Sequence, residues 1–153
     1  MKLTQSGAKE AVLSALDVSI PPAVRREVVD EGKTGGYPDA LIVEENIAKG
    51  RLKTAGLSLR RTGESALLVG GEKEVLGLYL EGRFDAVASD DSRFLKKMES
   101  LNVPYLTAAA CIAYLSISGR AGRKNALDLL EKLRRHISDD EYSVVRLFLE
   151  GKT

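Results

Sequence analysis

The spacing of apolar side chains predicts helices separated by short extended pieces. Over 6–16, Ala8, Ala11, Val12, Ala15 and Leu16 fall on one side of a helix, with Ser6 as its cap. Val18-Ser19-Ile20 reads as a brief extended piece, because a residue before proline avoids helix. Pro21-Pro22 opens the next helix, with Val24, Val28 and Val29 inward, and Gly32-Lys33-Thr34-Gly35-Gly36 is assigned to the loop that ends it. A helix over 39–49 has Leu41, Ile42, Ile47 and Ala48 as core positions and stops at Gly50. A strand over 51–59 is anchored by Leu52, Leu57 and Leu59, and 64–69 is ambiguous, with a short helix one reading. Gly70-Gly71 breaks the chain before a helix over 72–81 whose apolar face is Val75, Leu76, Tyr79 and Leu80.

The stretch 84–94 organises the rest. Residues 84–88 are short and mostly apolar, as in a strand covered on both faces. Two carboxylates follow, Asp90 and Asp91, and then a helix with Phe94, Leu95, Met98 and Leu101 at helical spacing. Ligands of open α/β sheets bind beyond the carboxyl ends of the strands, which places both acids at a functional edge. The simpler reading is that one of them caps the helix. A second short strand over 103–106 leads into a helix over 107–118 that is apolar on nearly all sides, buried or at an oligomer interface. Gly119-Arg120-Ala121-Gly122 has the Gly-x-x-Gly spacing of KH domains but reads better as a turn between helices. A helix over 124–137 turns Leu127, Leu130, Leu133 and Ile137 to one face, with His136 in its last turn. Ser138 and Glu141 form a capping box for the final helix, whose inward residues are Tyr142, Val145, Phe148 and Leu149. Strands alternating with helices imply parallel pairing and right-handed crossovers. The expected fold is a three-layer α/β/α domain with a mostly parallel central sheet and extra C-terminal helices.

Composition narrows the function classes. A chain of 153 residues, 44% hydrophobic and 29% charged, suits one globular domain, here 1–153. A formal charge of +1 gives no general affinity for nucleic acid. The single cysteine, Cys111, excludes an internal disulfide, suits a reducing cytoplasm and reads as a core residue. No apolar run reaches membrane-spanning length, and 1–10 lacks the apolar centre of a signal peptide. Gly32-Lys33-Thr34 is not a phosphate loop, since the required glycine five residues earlier is Glu27.

Carboxylates near strand ends or helix starts remain: Glu27, Glu72, Asp90 and Asp91. Gathered at one edge they would repel one another unless a cation lay between them. Oxygen donors without His or Cys point to magnesium or manganese. A water on such a metal can attack phosphorus. The simpler account of Glu72 is an acid placed in a first turn by the helix dipole. Crowded acids predict that Asp91→Asn leaves metal-free stability unchanged or slightly raised, whereas a plain cap predicts a loss.

Four segments in order resemble the PIN-domain family, in the group related to VapC-type toxins, the last of them 101–107, a second short strand leading into an apolar helix. Ile20-Pro21-Pro22 followed by Glu27 is similar to its hydrophobic-Pro element and acidic helix. Gly71-Glu72-Lys73-Glu74 resembles its Gly-Glu-x-Glu motif, and 84–94 its strand ending in an acidic pair. The resemblance implies a magnesium- or manganese-dependent ribonuclease with Glu27, Glu72, Asp90 and Asp91 as metal-binding, catalytic acids. It further implies an RNA substrate, an antitoxin protein as partner and a homo-oligomer, expected as a dimer. Arg60, Arg61, Arg120 and Arg123 are candidate phosphate contacts. The family's first strand, with Asp before Thr or Ser, has no counterpart. Asp17 abuts Pro21 too closely, and Gln5 stands where an acid belongs. The expectation is a late start or a lost site, so the alternative is an inactive PIN-like module that binds RNA or protein.

Overall fold

The structure, a computed structural model, describes residues 1–58 and 68–151. Leu59, Arg60, Arg61 and most of the ambiguous 64–69 segment lie outside the described residues. The chain divides into two compact units, Met1–Leu16 with Ala88–Asp90 and Leu106–Thr153, and Asp17–Val87 with Asp91–Tyr105.

The first unit is helical: α1 (Lys2–Gln5), α2 (Lys9–Ala15), α8 (Ala108–Ile117), α9 (Arg123–Leu133) and α10 (Asp139–Glu150); the second unit carries α3 (Pro22–Arg25), α4 (Gly32–Thr34), α5 (Pro38–Ala48), α6 (Gly70–Leu80) and α7 (Ser92–Ser100). Ser6 closes α1 instead of opening α2: its hydroxyl donates to the Leu3 carbonyl (3.2 Å) and accepts from the Ala8 amide (3.4 Å). Ala8, Val12 and Ala15 are buried, as their spacing predicts. The apolar helix α8 supplies Ala109, Ile112 and Leu115 to the interior of its own unit, alongside Leu130, Leu133, Tyr142 and Leu149. Burial within the unit therefore accounts for most of its apolar character, although Tyr114 and Ile117 remain exposed. Phe148, expected inward, is exposed. The buried face of α10 runs through Tyr142, Val145 and Leu149, and Phe148 lies on its flank. Between α8 and α9 the Gly-x-x-Gly segment is a turn: Gly119 has φ +70°, and the Arg120 and Ala121 amides both donate to the Leu115 carbonyl (2.9 Å).

In the second unit β1 (Ser19–Ile20) pairs in parallel with β2 (Lys53–Thr54), Ser19 opposite Lys53. The strand expected over 51–59 is this short because its partner β1 turns into helix directly after Ile20, and beyond the last ladder bond, from the Ala55 amide to the Ile20 carbonyl (3.0 Å), the Ser58 amide donates to Glu81 (2.8 Å). Beyond Pro21 the chain forms α3 (Pro22–Arg25), a wide π-helical segment Arg26–Glu31, and one more turn, α4 (Gly32–Thr34). Gly32-Lys33-Thr34, expected as loop, is thus helical. The buried Gly32 is needed there, since a β-carbon would sit 3.0 Å from the Ala40 β-carbon. That close approach rotates α5 (Pro38–Ala48) so that Ala40, Val43 and Asn46 are buried. Leu41, Ile42 and Ala48, expected in the core, are exposed in consequence, and Ile47 is half-buried. Helix α6 (Gly70–Leu80) begins on the two glycines that were expected to break the chain, with Val69 in extended conformation just before it.

Strands β3 (Val87–Ala88) and β4 (Tyr105–Leu106) form a second pair. The Val87 amide donates to the Pro104 carbonyl (2.9 Å) and the Ser89 amide to that of Leu106 (3.1 Å), so both strands advance together, the parallel pattern. Phe94 and Met98 of α7 (Ser92–Ser100) pack with Leu68, Leu76, Val87 and Val103. The class is therefore helix-rich α/β with short parallel pairs, and among the described residues the strands occur as two two-stranded sheets. Among these residues no helix is long and apolar enough to cross a membrane.

Candidate acidic site

Glu27 lies in the π-helical segment, a widened turn that often marks functional positions. Its Oε1 accepts from the Gly71 amide (3.2 Å), one of the donors left without an intrahelical partner at the start of α6. The exchange is reciprocal. Glu74 of α6 accepts through Oε2 from the Ala23 amide (2.9 Å), an equivalent orphan donor in α3. Two helix starts are thus tied together by carboxylates carried on each other, and Glu27 is held against the first turn of the helix that bears Glu72. Gly71 makes this approach possible because it has no β-carbon.

Glu72 points to a neighbouring helix, where its Oε2 lies 3.6 Å from the Lys97 ammonium of α7. Both side chains are partly exposed, so solvent screens the pair. Asp91 caps α7, its Oδ1 accepting from the Arg93 and Phe94 amides (2.9 Å each). The Phe94 amide does most to hold the Asp91 carboxyl below its ordinary value. Partial desolvation opposes it, while the Arg93 amide and the charges of Arg93 and Lys97 add to it. Lys97 is thus the cation common to Glu72 and Asp91.

This environment attracts the Asp91 charge and reverses the expectation for Asp91→Asn. Asn still caps a helix, but it loses the charge-assisted part of the two bonds. The variant should melt lower than the parent at neutral pH and low salt. A carboxyl depressed in the fold stabilises above its unfolded-state value, near 3.8, and that contribution fades as pH falls through the lower folded-state value. The gap between the two melting curves should accordingly narrow on acidification below 3.8. A variant that melts at or above the parent at neutral pH would restore the crowded-acid picture.

Asp90 belongs to the first unit. Its Oδ1 accepts from the Ala108 amide at the start of α8 (3.0 Å) and lies 3.8 Å from the Lys2 ammonium. It lines a cavity of about 460 Å³ with Lys2, Ser89, Thr107 and Cys111. Burial, reinforced by the Asp90 charge, pushes the Cys111 thiol up to about 11. The thiolate is the reactive form, so folded protein should not react with an aromatic disulfide reagent at neutral pH, whereas denatured protein should react fully. Rapid labelling of the native state would show that Cys111 is accessible.

Other sequence candidates have ordinary roles. Asp17 is exposed and ion-paired with Lys53 (2.8 Å), and Gln5 ends α1. Arg123 reaches the Glu150 carbonyl (3.5 Å) and Arg120 is exposed in the turn. The sequence pattern does not single out Glu74 or Lys97: Glu74 lies inside the Gly-Glu-x-Glu motif, and nothing local distinguishes Lys97 from Lys96.

Among the described residues, no three His, Cys, Asp or Glu side chains are grouped closely enough to hold a metal alone. The donors present are nonetheless carboxylate oxygens, the type that suits a hard divalent cation, and magnesium needs only one or two of them with water and phosphate oxygens. Glu27 is held on the Gly71 amide and Glu72 beside Lys97, so the described residues do not by themselves assemble an ion site. No curated protein and no solved structure matches the chain. The family model DUF3368, described as a PIN domain, matches residues 8–150. With nearly its whole length matched, the chain belongs to the PIN-domain family.

Proposed function

We propose that this protein is a ribonuclease of the PIN type that hydrolyses RNA phosphodiester bonds with magnesium or manganese. The family is of nuclease type in general, and PIN domains are generally dependent on divalent metal. The observation that carries the reading is the placement of Glu27 against the first turn of the helix bearing Glu72, within a chain that matches the family over 8–150. Glu27, Glu72 and Asp91 are the proposed acids of the second unit, and Asp90 enters by family correspondence. A bound divalent ion would supply charge neutralisation and an activated water. The chain's own part is to present carboxylates at the amide-rich starts of α6 and α7. The family's three-layer fold, an antitoxin protein and a homodimer belong to the same proposal.

A second reading has its own support. Glu27, Asp90 and Asp91 each accept from backbone amides, and Glu72 has a lysine beside it. Carboxylates so engaged suit a binding module without catalysis. One experiment separates the two. Folded protein is incubated with single-stranded RNA and manganese, with and without chelator, beside Glu27→Gln and Glu72→Gln. Cleavage that chelator abolishes and both variants lose supports the nuclease. RNA bound but uncleaved in folded parent protein supports the module.

A further inference from the structure

We propose that this chain forms a homodimer through the outer face of α10, with a second copy docking antiparallel on the same helix. The inference rests on the homodimer of the proposed function and deepens it by naming the interface; it uses no property of the acidic site. Helix α10 carries two apolar stripes. Tyr142, Val145 and Leu149 face the interior of the first unit. Val144, Leu147 and Phe148, at helical spacing on the other side, are 64%, 45% and 42% exposed. Exposed apolar residues scattered singly are ordinary, but a row of them along one helix face marks a contact surface. The two ends of the row say what covers it. At its start stands Asp140, an exposed acid in the first turn of α10. At its end, about three helical turns on, the Arg123 guanidinium lies 3.3 Å from the place of a Gly151 β-carbon and donates to the Glu150 carbonyl (3.5 Å). The row is therefore acidic at one end, apolar in the middle and basic at the other. Such a surface complements itself when turned end for end, which is what a two-fold interface requires. The register agrees. A two-fold axis crossing the helix between Val145 and Arg146 sets Val144 against the partner's Leu147. The same axis sets Asp140 against the partner's Gly151, beside the partner's Arg123. One rotation thus covers both apolar rows and pairs the charges at both ends.

Sedimentation equilibrium over a range of protein concentrations reads the dissociation constant of the parent, Leu147→Lys, Leu41→Lys, Asp140→Arg, Arg123→Glu and the double variant Asp140→Arg/Arg123→Glu. Melting curves confirm that each is folded. The parent should be dimeric. Leu147→Lys, which the two-fold places in the interface twice, should raise the constant about tenfold or more. Leu41→Lys changes a still more exposed leucine, 60%, of the second unit and should match the parent. Each single charge reversal should raise the constant about three- to tenfold, the range for two surface ion pairs. The double reversal should return it to the parent value, because both pairs re-form with their signs exchanged. A dimer that withstands Leu147→Lys, or a double reversal no better than the single ones, overturns this interface and leaves the homodimer standing. A parent that stays monomeric overturns both and leaves the nuclease reading untouched.

Discussion

Gly71→Ala is expected to destabilise the protein by about 1–3 kcal/mol, the usual range for forcing extra volume into a packed site. An added β-carbon would fall 2.6 Å from Val24 Cγ2 and 3.3 Å from both carboxylate oxygens of Glu27. Val24 is β-branched and cannot turn aside easily. Alanine is intrinsically better than glycine in a helix interior by up to about 1 kcal/mol, but Gly71 is in the first turn, where that gain is least. The clash should therefore win, and it should push Glu27 off the Gly71 amide. Gly77 supplies the contrast. There a β-carbon would meet Leu57 Cδ2 at 2.7 Å, the far end of a long, exposed side chain that can rotate away. Gly77→Ala should be neutral or stabilising. Urea unfolding of both variants checks the pair, and Val24→Ala should restore part of the loss in Gly71→Ala because the two residues touch. Equal stability of the two glycine variants would show that the approach of α3 to α6 is not tight.

Phe94→Ala should cost about 3–5 kcal/mol, as for other buried aromatic residues. Phe94 is 3% exposed and packs with Leu68, Leu76, Val87, Met98 and Val103. Its amide is also one of the two that Asp91 accepts from, so the same residue anchors α7 to the core and fixes its cap. A cavity here should loosen the helix that carries both Asp91 and Lys97. Leu101, at the same helical spacing, is 46% exposed, and Leu101→Ala should stay within about 0.5 kcal/mol. Denaturant unfolding decides it. Similar losses for the two variants would mean that the far end of α7 is packed as firmly as its start.

Interactions that span a few residues were legible in the sequence. Pro22 near the start of α3, Asp91 capping α7 and Ser138 capping α10 each depend on neighbours within one turn, and the chain itself brings them together. The inward face of α2, and that of α7 through Phe94 and Met98, also followed from spacing, although Leu101 at the end of the same stripe is exposed. Helix α5 offered two possible faces. Leu41 and Ile42 gave the more hydrophobic one, but the approach of Gly32 to Ala40 selected the other. The acids were visible as residues, but their partners were not. Glu27 and Gly71 are 44 residues apart, and Glu74 and Ala23 are 51. Nothing in either segment encodes the other. The docking of α3 on α6, allowed by one missing β-carbon, decides which orphan amide meets which carboxylate. The placement of α7 then decides that a lysine, not another acid, faces Glu72. Local sequence set where charge would stand along each helix, and tertiary packing set what it would stand against, because helix ends find distant partners only once their faces have docked.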